Sequence, residues 1–448
     1  MIKQLKIQGF RGFGEEQTIK FSLPDYINEG SGLSISVGAN NSGKSTIIEA
    51  IKAFNTECTF SEGKRNIKTN KKVYLEIHNE NDVIYCIKTV SSGGSEVENR
   101  DSQGYLNFYV LPSRRFVDYE FGKNKYTRLD YIRSNYFSNR TSTLSSFSSR
   151  LFHMMDNKDK INELFQSIIG QNIDWTIDQH DSGNYYVKFT FDLNSHSSEG
   201  VGDGLWSILT ICDALYDSTK DSVIVIDEPE LSLHPAYQKR VMEMILEFSK
   251  DRQIIISTHS PYFVNWNAIS KGGGLIRTKK LTNGDIKVNY LSNETKEKIK
   301  GFLTDLNNPH VLGLEANEVF FLEENIIVTE GQEDVIIFKK LSNKKLKGNF
   351  FGWGAGGAHK EKTILTILND LGYEKVVAVF DGDQADEYNE VLKQFPNYKF
   401  IILPQDDIRD KRIKEKIVDG IVNSKSELKK DYEVWFESDF ISVINNYF

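Results

Sequence analysis

The chain has 448 residues, with 55 lysines and arginines against 63 aspartates and glutamates and a net charge of −8. That length points to roughly three domains, within a range of two to four, and the acidic balance argues mildly against a uniformly basic nucleic-acid coat, local patches counting for more than totals. Cys58, Cys86 and Cys212 are odd in number and far apart, which excludes a disulfide framework or zinc spacing, and no apolar run is long enough to span a membrane. The N-terminus alternates like a strand and lacks the apolar core of a signal peptide, so a cytoplasmic location is expected.

Residues 1–23 are predicted to form a β-hairpin turning at Phe10 to Phe13. The apolar run Leu33–Val37 then enters a loop that matches G-x-x-x-x-G-K-[ST] at Gly38, Gly43, Lys44 and Ser45, and helical spacing follows at Ile47, Ile48, Ala50, Ile51 and Phe54. Strand, glycine loop and helix in that order make a nucleotide site. Glycines let backbone N–H groups from Asn40, Asn41, Ser42, Gly43 and Thr46 approach phosphate, and the helix N-terminus adds to the field. Lys44 is expected on the outer phosphates and the Ser45 hydroxyl on Mg²⁺.

A second hairpin is predicted over 72–90, a glycine-rich loop over 91–104 and a strand over Leu106–Val110. Arg114 and Arg115 beyond it suit phosphate or DNA, with plain surface arginines as the competing reading. A helical insertion is predicted over 117–170, followed by strands at Trp175–Ile177 and Tyr185–Phe191. The loop Ser198 to Gly204, with Gly200 and Gly202, caps a helix carrying Leu205, Ile208, Leu209, Cys212 and Leu215, a further candidate phosphate site.

Val223–Asp227 reads as a strand buried on both faces, ending where Asp227 meets the Mg²⁺ held by Ser45. Glu228 is placed to orient or deprotonate an attacking water, and His259, after the buried run Gln253–Ser257, to contact the γ-phosphate. Basic patches at Lys64–Lys72, Arg114–Arg115, Lys123–Arg140 and Lys339–Lys347 keep nucleic acid open, although a solvated face explains any one of them.

These motifs in this order resemble the ABC-type ATPases of the RecF, SMC and OLD group. The resemblance implies a head-to-head pair in which each nucleotide lies between the glycine loop of one chain and the signature loop of the other. Ser198 to Gly204 would be that signature loop, Glu228 the catalytic base and His259 the switch histidine. The loop departs from the common S-G-G sequence.

After a charged connector at 294–324, Asn325–Asp334 starts a new strand-to-helix unit. Lys375–Asp383 repeats it, and Lys399–Pro404 gives a third buried strand ahead of Asp406 and Asp407. Alternating strands and helices predict a small parallel sheet with acids gathered at one edge. Glu330, Asp334, Asp381 and Asp383 together would repel one another unless hard cations such as Mg²⁺ or Mn²⁺ relieve them. Two such ions about 4 Å apart suit phosphodiester cleavage.

E-G-x-x-D followed by D-G-D resembles the Toprim domain. Behind an ABC-type ATPase it resembles the OLD family of ATP-dependent endonucleases, whose relatives include Gabija-type and retron-associated phage-defence nucleases. The implied fold is α/β, an ABC-type P-loop ATPase domain over 1–293, the connector, and a Toprim domain over 325–448. The resemblance makes Glu330 a general base or metal ligand and Asp334, Asp381 and Asp383 metal ligands. It also implies a late catalytic lysine, for which Lys411, Lys425 and Lys430 are candidates that spacing does not separate. Arg409 stands where relatives often carry an acid.

The first function expected is an ATP-controlled, Mg²⁺- or Mn²⁺-dependent DNA endonuclease in phage defence, a homodimer or higher oligomer through its ATPase heads. A reverse transcriptase with its DNA–RNA hybrid is one trigger the resemblance suggests. The second is a nucleotide-switched DNA-binding sensor or scaffold with an inactive or partner-activated Toprim unit; a topoisomerase or primase ranks third.

Overall fold

The computed structural model describes residues 1–448 apart from 56–57, 59, 91–96, 101–105, 116, 135–143, 145–146, 192–193, 304–311, 314–315, 318–323, 344 and 414–415. The side chains of 97–100, 358, 412–413 and 416–417 are also left out. Most of the expected 91–104 loop, part of the 117–170 insertion including Arg140, and much of the connector therefore lie outside the described residues. Two compact units emerge, Met1–Val288 and Asn289–Phe448.

The first unit begins with β1 (Ile2–Gln8), β2 (Gln17–Lys20), β3 (Leu33–Val37), α1 (Lys44–Lys52), β4 (Tyr74–Asn79), β5 (Ile84–Thr89), β6 (Val97–Arg100) and β7 (Tyr109–Leu111). The insertion supplies α2 (Arg128–Ser134), α3 (Ser148–Met154) and α4 (Lys158–Ile169), then β8 (Ile173–Gln179), β9 (Tyr185–Phe191) and β10 (Asn194–Ser197). There follow α5 (Asp203–Tyr216), β11 (Val223–Asp227), α6 (Pro235–Phe248), β12 (Gln253–Ser257), α7 (Trp266–Ser270), β13 (Gly274–Lys280) and β14 (Ile286–Tyr290).

Every residue of β3, β11 and β12 is buried, as continuous apolar runs in a parallel sheet require. They lie side by side in the order β14-β13-β3-β12-β11-β7. Parallel register pairs Asp227 with Ser257 and Ser257 with Ser36, so three polar residues line up at one sheet edge beside Gly38. A second, antiparallel sheet runs β2-β1-β4-β5-β6. The core forms where Leu5, Ile7 and Leu75 of that sheet, Ile47 and Ile51 of α1, and Val225 and Ile255 of the parallel sheet pack together. Both expected hairpins are present. The strand expected over Leu106–Val110 is displaced to Tyr109–Leu111, because the Asn55 amide takes both backbone groups of Phe108, at 2.9 and 2.6 Å, away from any ladder.

The insertion is fastened to α5 by charge. Arg150 of α3 is fully buried and donates to Asp213 at 2.6 Å and to Asp217 at 2.9 Å, while Tyr109 also hydrogen-bonds Asp213. A buried pair adds little over an apolar substitute, but removing one partner strands the other in low dielectric. Arg150→Ala is therefore expected to lower unfolding free energy by about 3–5 kcal/mol in urea denaturation; a loss under about 1 kcal/mol, the size of an exposed pair, would contradict this placement.

The second unit comprises α8 (Asn293–Leu303), β15 (Ile326–Thr329), α9 (Gln332–Ser342), β16 (Asn349–Phe350), α10 (Ala358–Asp370), β17 (Val376–Phe380), α11 (Ala385–Gln394) and β18 (Lys399–Ile402). Four strands form a wholly parallel sheet, β16-β15-β17-β18, with β15 and β17 buried throughout. Thr329 pairs with Val379, so Glu330 and Asp381 leave adjacent strands at the same edge. Beyond the sheet, Asp407–Arg409 pairs with Gly420–Val422, and a terminal helical stretch stacks Phe440 on Phe338 with ring centroids 4.4 Å apart.

Candidate functional site

In the first unit, the turn from β3 into α1 needs left-handed backbone at Gly43, with φ of 103°, which glycine adopts without steric cost. A cleft of about 500 Å³ opens over this loop, lined by Asn40 to Thr46, Glu228 and His259. That volume suits a nucleotide-sized ligand. Lys44 folds back onto the carbonyls of Gly38 and Ala39, at 2.8 and 3.0 Å. The hydroxyl of Ser45 donates to Asp227 at 3.3 Å, and Ser257 bonds the same Asp227 oxygen. The sheet register thus brings together the hydroxyl and carboxylate predicted to share a cation.

Glu228 sits in left-handed backbone, φ 48°, with its N–H on the Ser257 carbonyl at 2.9 Å. Its carboxylate lies 3.9 Å from His259 Nε2. Burial, then the positive charge of Lys44, push the His259 pKa down to about 4, so the ring is neutral at neutral pH. Glu230 accepts from the His259 N–H at 2.5 Å and from the Thr258 hydroxyl at 2.8 Å, tying this histidine loop to the turn after β11.

The sequence misreads Arg115. It is buried and works inward, donating to the carbonyls of Asp227 and Glu228 at 2.9 and 2.7 Å and to Ser207 of α5 at 2.9 Å. It braces the backbone that carries both acids, so its guanidinium does not read phosphate or DNA; Arg114 beside it is exposed. Ser198 is likewise buried, its hydroxyl on the Tyr119 carbonyl at 2.9 Å, whereas a Cβ added at Gly202 would meet only open space. Neither Ser198, Gly200 nor Gly202 lines the cleft over the phosphate loop.

Arg11, Lys280 and Ile286 line that cleft too and were not singled out from the sequence. For Arg11 a signal existed. Phe10 and Phe13 are fully buried anchors, so the residues between them are held at the cleft.

In the second unit, Glu330 closes β15 and its carbonyl accepts the N–H groups of Gly356 and Gly357, at 2.8 and 3.1 Å. Asp334 is buried in the first turn of α9 and accepts the Gly331 N–H at 2.8 Å. Burial, then Glu330 and Asp407, raise its pKa to about 7 against that hydrogen bond. Asp381, at the end of β17, is raised to about 9 by burial and by Asp334, Glu330, Asp407 and Asp383. Asp383 itself is exposed.

Lys411 is the late lysine brought to this group, 2.9 Å from Asp407 and 3.0 Å from Glu333. Burial opposes its charge, but those two partners raise its pKa. Lys430 lies in a short 3-10 turn, and Lys425 donates its backbone N–H to Asn423; neither has a contact with these acids among the described residues. Arg409 lies 2.6 Å from Glu333. Asp407 and Glu361 were not among the predicted ligands, yet both act electrostatically on the group. Among the described residues, no group of three or more acids, histidines or cysteines is placed to hold a metal ion.

The phosphate loop with Asp227, Glu228 and His259 at neighbouring strand ends defines a P-loop ATPase. A family model described as an AAA domain, putative AbiEii toxin, Type IV TA system, matches residues 118–265, and one described as an AAA domain matches 4–182. The Septu protein PtuA of Bacillus thuringiensis is 25% identical over 307 residues, 60% of this chain and 74% of that protein. An OLD nuclease of Thermus scotoductus is 32% identical over 131 residues, covering 28% of this chain and 23% of the nuclease. A solved SMC head bound to the C-winged helix domain of ScpA aligns with TM-score 0.44 at 17% identity, over 66% of this chain and 99% of that one. The chain thus carries a P-loop ATPase fold and is similar in part to OLD nucleases. No helix among the described residues is long and apolar enough to cross a membrane.

Two outcomes follow from the ATPase geometry. Arg115→Lys keeps charge but loses the planar fork, so ATP turnover should fall about 10- to 100-fold with little change in nucleotide affinity; equal loss of both would contradict a bracing role. Proton NMR should titrate His259 at about 4. Its folded pKa lies below the unfolded one, so its contribution to stability is present above about pH 6.5 and is lost as pH falls toward the folded value. A titration near 6.5 would contradict the burial argument.

Proposed function

We propose that the chain is an ATP-controlled, divalent-cation-dependent DNA endonuclease whose second unit is a Toprim-type nuclease domain, and that it serves in phage defence. The observation that carries this reading is the exit of Glu330 and Asp381 at the same edge of adjacent parallel strands, with the buried Asp334 in the first turn of the helix that follows Glu330. The similarity to an OLD nuclease supports it.

The donors fit Mg²⁺ or Mn²⁺, because they are carboxylate oxygens that repel one another and are partly withdrawn from water. Both oxygens of the buried Glu361 lack a hydrogen-bond partner among the described residues. When bound, such a cation supplies a water of lowered pKa and stabilises the leaving oxygen. Glu330, Asp381 and Asp334 would hold it from the sheet edge and Asp383 from the solvent side. Asp334 also fixes the start of α9 through Gly331. Lys411, kept charged by Asp407 and Glu333, would offset charge on the phosphate that is cut.

In the first unit, ATP would draw Lys44 from the loop carbonyls to the phosphates, with Mg²⁺ between Ser45 and Asp227. Glu228 would orient the water and neutral His259 the γ-phosphate. The open space at Gly202 suits a phosphate presented by a second copy, as a head-to-head pair requires. DNA would lie on the basic patches through backbone contacts, and a reverse transcriptase with its hybrid remains one trigger. A nucleotide-switched sensor is the second reading, favoured by the pairing of Arg409 with Glu333 and by the absence, among the described residues, of three or more acids, histidines or cysteines placed to hold a metal ion.

Cleavage of supercoiled plasmid with Mg²⁺ or Mn²⁺, with and without ATP, tests this. Asp381→Asn should slow cutting by about 10²-fold or more, and Lys44→Ala should abolish the ATP response. Intact plasmid after incubation with folded parent protein that binds ATP would favour the sensor; unaltered cutting by Asp381→Asn would overturn the assignment of the site.

A further inference from the structure

Glu361 lies in the first turn of α10, four residues beyond the Gly357 whose N–H bonds the Glu330 carbonyl. It is 0% exposed, and both carboxyl oxygens are buried without a hydrogen-bond partner among the described residues. A polar group in that state is costly unless something else satisfies it. Among the described residues its helix shows no ion pair to it: Lys362 pairs with Glu390 at 2.5 Å, His359 stands 3.5 Å from Glu387, and Lys360 lies over the Phe302 ring. Lys411, across the site, pairs with Asp407 and Glu333. The carboxylates that act on Glu361 electrostatically are those of Glu330, Asp334 and Asp381, and the backbone places it beside the first of them, one turn beyond the Gly357 that bonds the Glu330 carbonyl.

We propose that Glu361 is a further carboxylate ligand of the divalent-cation site at the ends of β15 and β17, facing Glu330, Asp334 and Asp381 from the N-terminus of α10. The inference rests on the nuclease reading and adds to it a residue outside E-G-x-x-D and D-G-D. Mg²⁺ and Mn²⁺ take about six oxygen ligands. Of the acids the motifs supply, Asp334 already spends one oxygen on Gly331 and Asp383 is exposed, while Glu361 has both oxygens to give from the buried side. Glutamine keeps the size and shape of the side chain while replacing one carboxyl oxygen by an amide nitrogen.

The test is calorimetric titration of the full chain with Mn²⁺ alone, without nucleotide, comparing the parent with Glu361→Gln, Glu361→Asp and Asp381→Asn, alongside melting curves without metal. Glu361→Gln should melt like the parent yet bind Mn²⁺ at least about tenfold more weakly. Glu361→Asp, which keeps the charge but withdraws the oxygens by one methylene, should lose affinity and keep the fold; it decides the matter if the glutamine variant fails to fold. Parental Mn²⁺ affinity in whichever glutamate variant folds, with affinity lost in Asp381→Asn, would overturn the role of Glu361 alone. No Mn²⁺ binding by the parent would overturn the nuclease reading and this inference together.

Discussion

A charge carried into a protein interior at the end of a parallel strand must find hydrogen bonds or an opposite charge, and both units are shaped by that requirement. The first meets it from within the chain. Asp227 takes the hydroxyls of Ser45 and Ser257, and Arg115 binds the carbonyls of Asp227 and Glu228. Lys44 rests on the carbonyls of its own loop. The resting site is therefore satisfied by the chain itself.

The second unit meets the same requirement incompletely. Glu330, Asp334 and Asp381 act electrostatically on the buried Glu361, and among the described residues Arg409 and Lys411 are each engaged by Glu333, with Asp407 holding Lys411 as well. Burial and the neighbouring carboxylates raise the pKa values of Asp334 and Asp381, because each further charge at this edge is harder to carry.

Much of this was legible in the sequence because the strands are five-residue apolar runs ending in chemistry-bearing residues. Val223–Asp227, Gln253–Ser257 and Val376–Phe380 state both their burial and the edge at which Asp227, His259 and Asp381 emerge. Side-chain direction was less legible. Arg115 looked like a phosphate reader because arginine pairs are usually exposed, and its inward turn depends on carbonyls more than a hundred positions away. Ser198 turned inward to Tyr119 for the same nonlocal reason. Glu361 was hidden because a lone glutamate early in a helix reads as a favourable partner for the helix dipole. Among Lys411, Lys425 and Lys430, only the local pairing of Asp407 with Lys411 separates the candidates.

The account turns on whether the acids at the ends of β15 and β17 hold a cation. The most direct measurement is a crystal structure of the protein grown with Mn²⁺, with anomalous scattering recorded above the manganese edge. The account predicts a peak within about 2.5 Å of carboxylate oxygens of Glu330 and Asp381. A well-ordered map with those side chains in place and no anomalous density between them would contradict it.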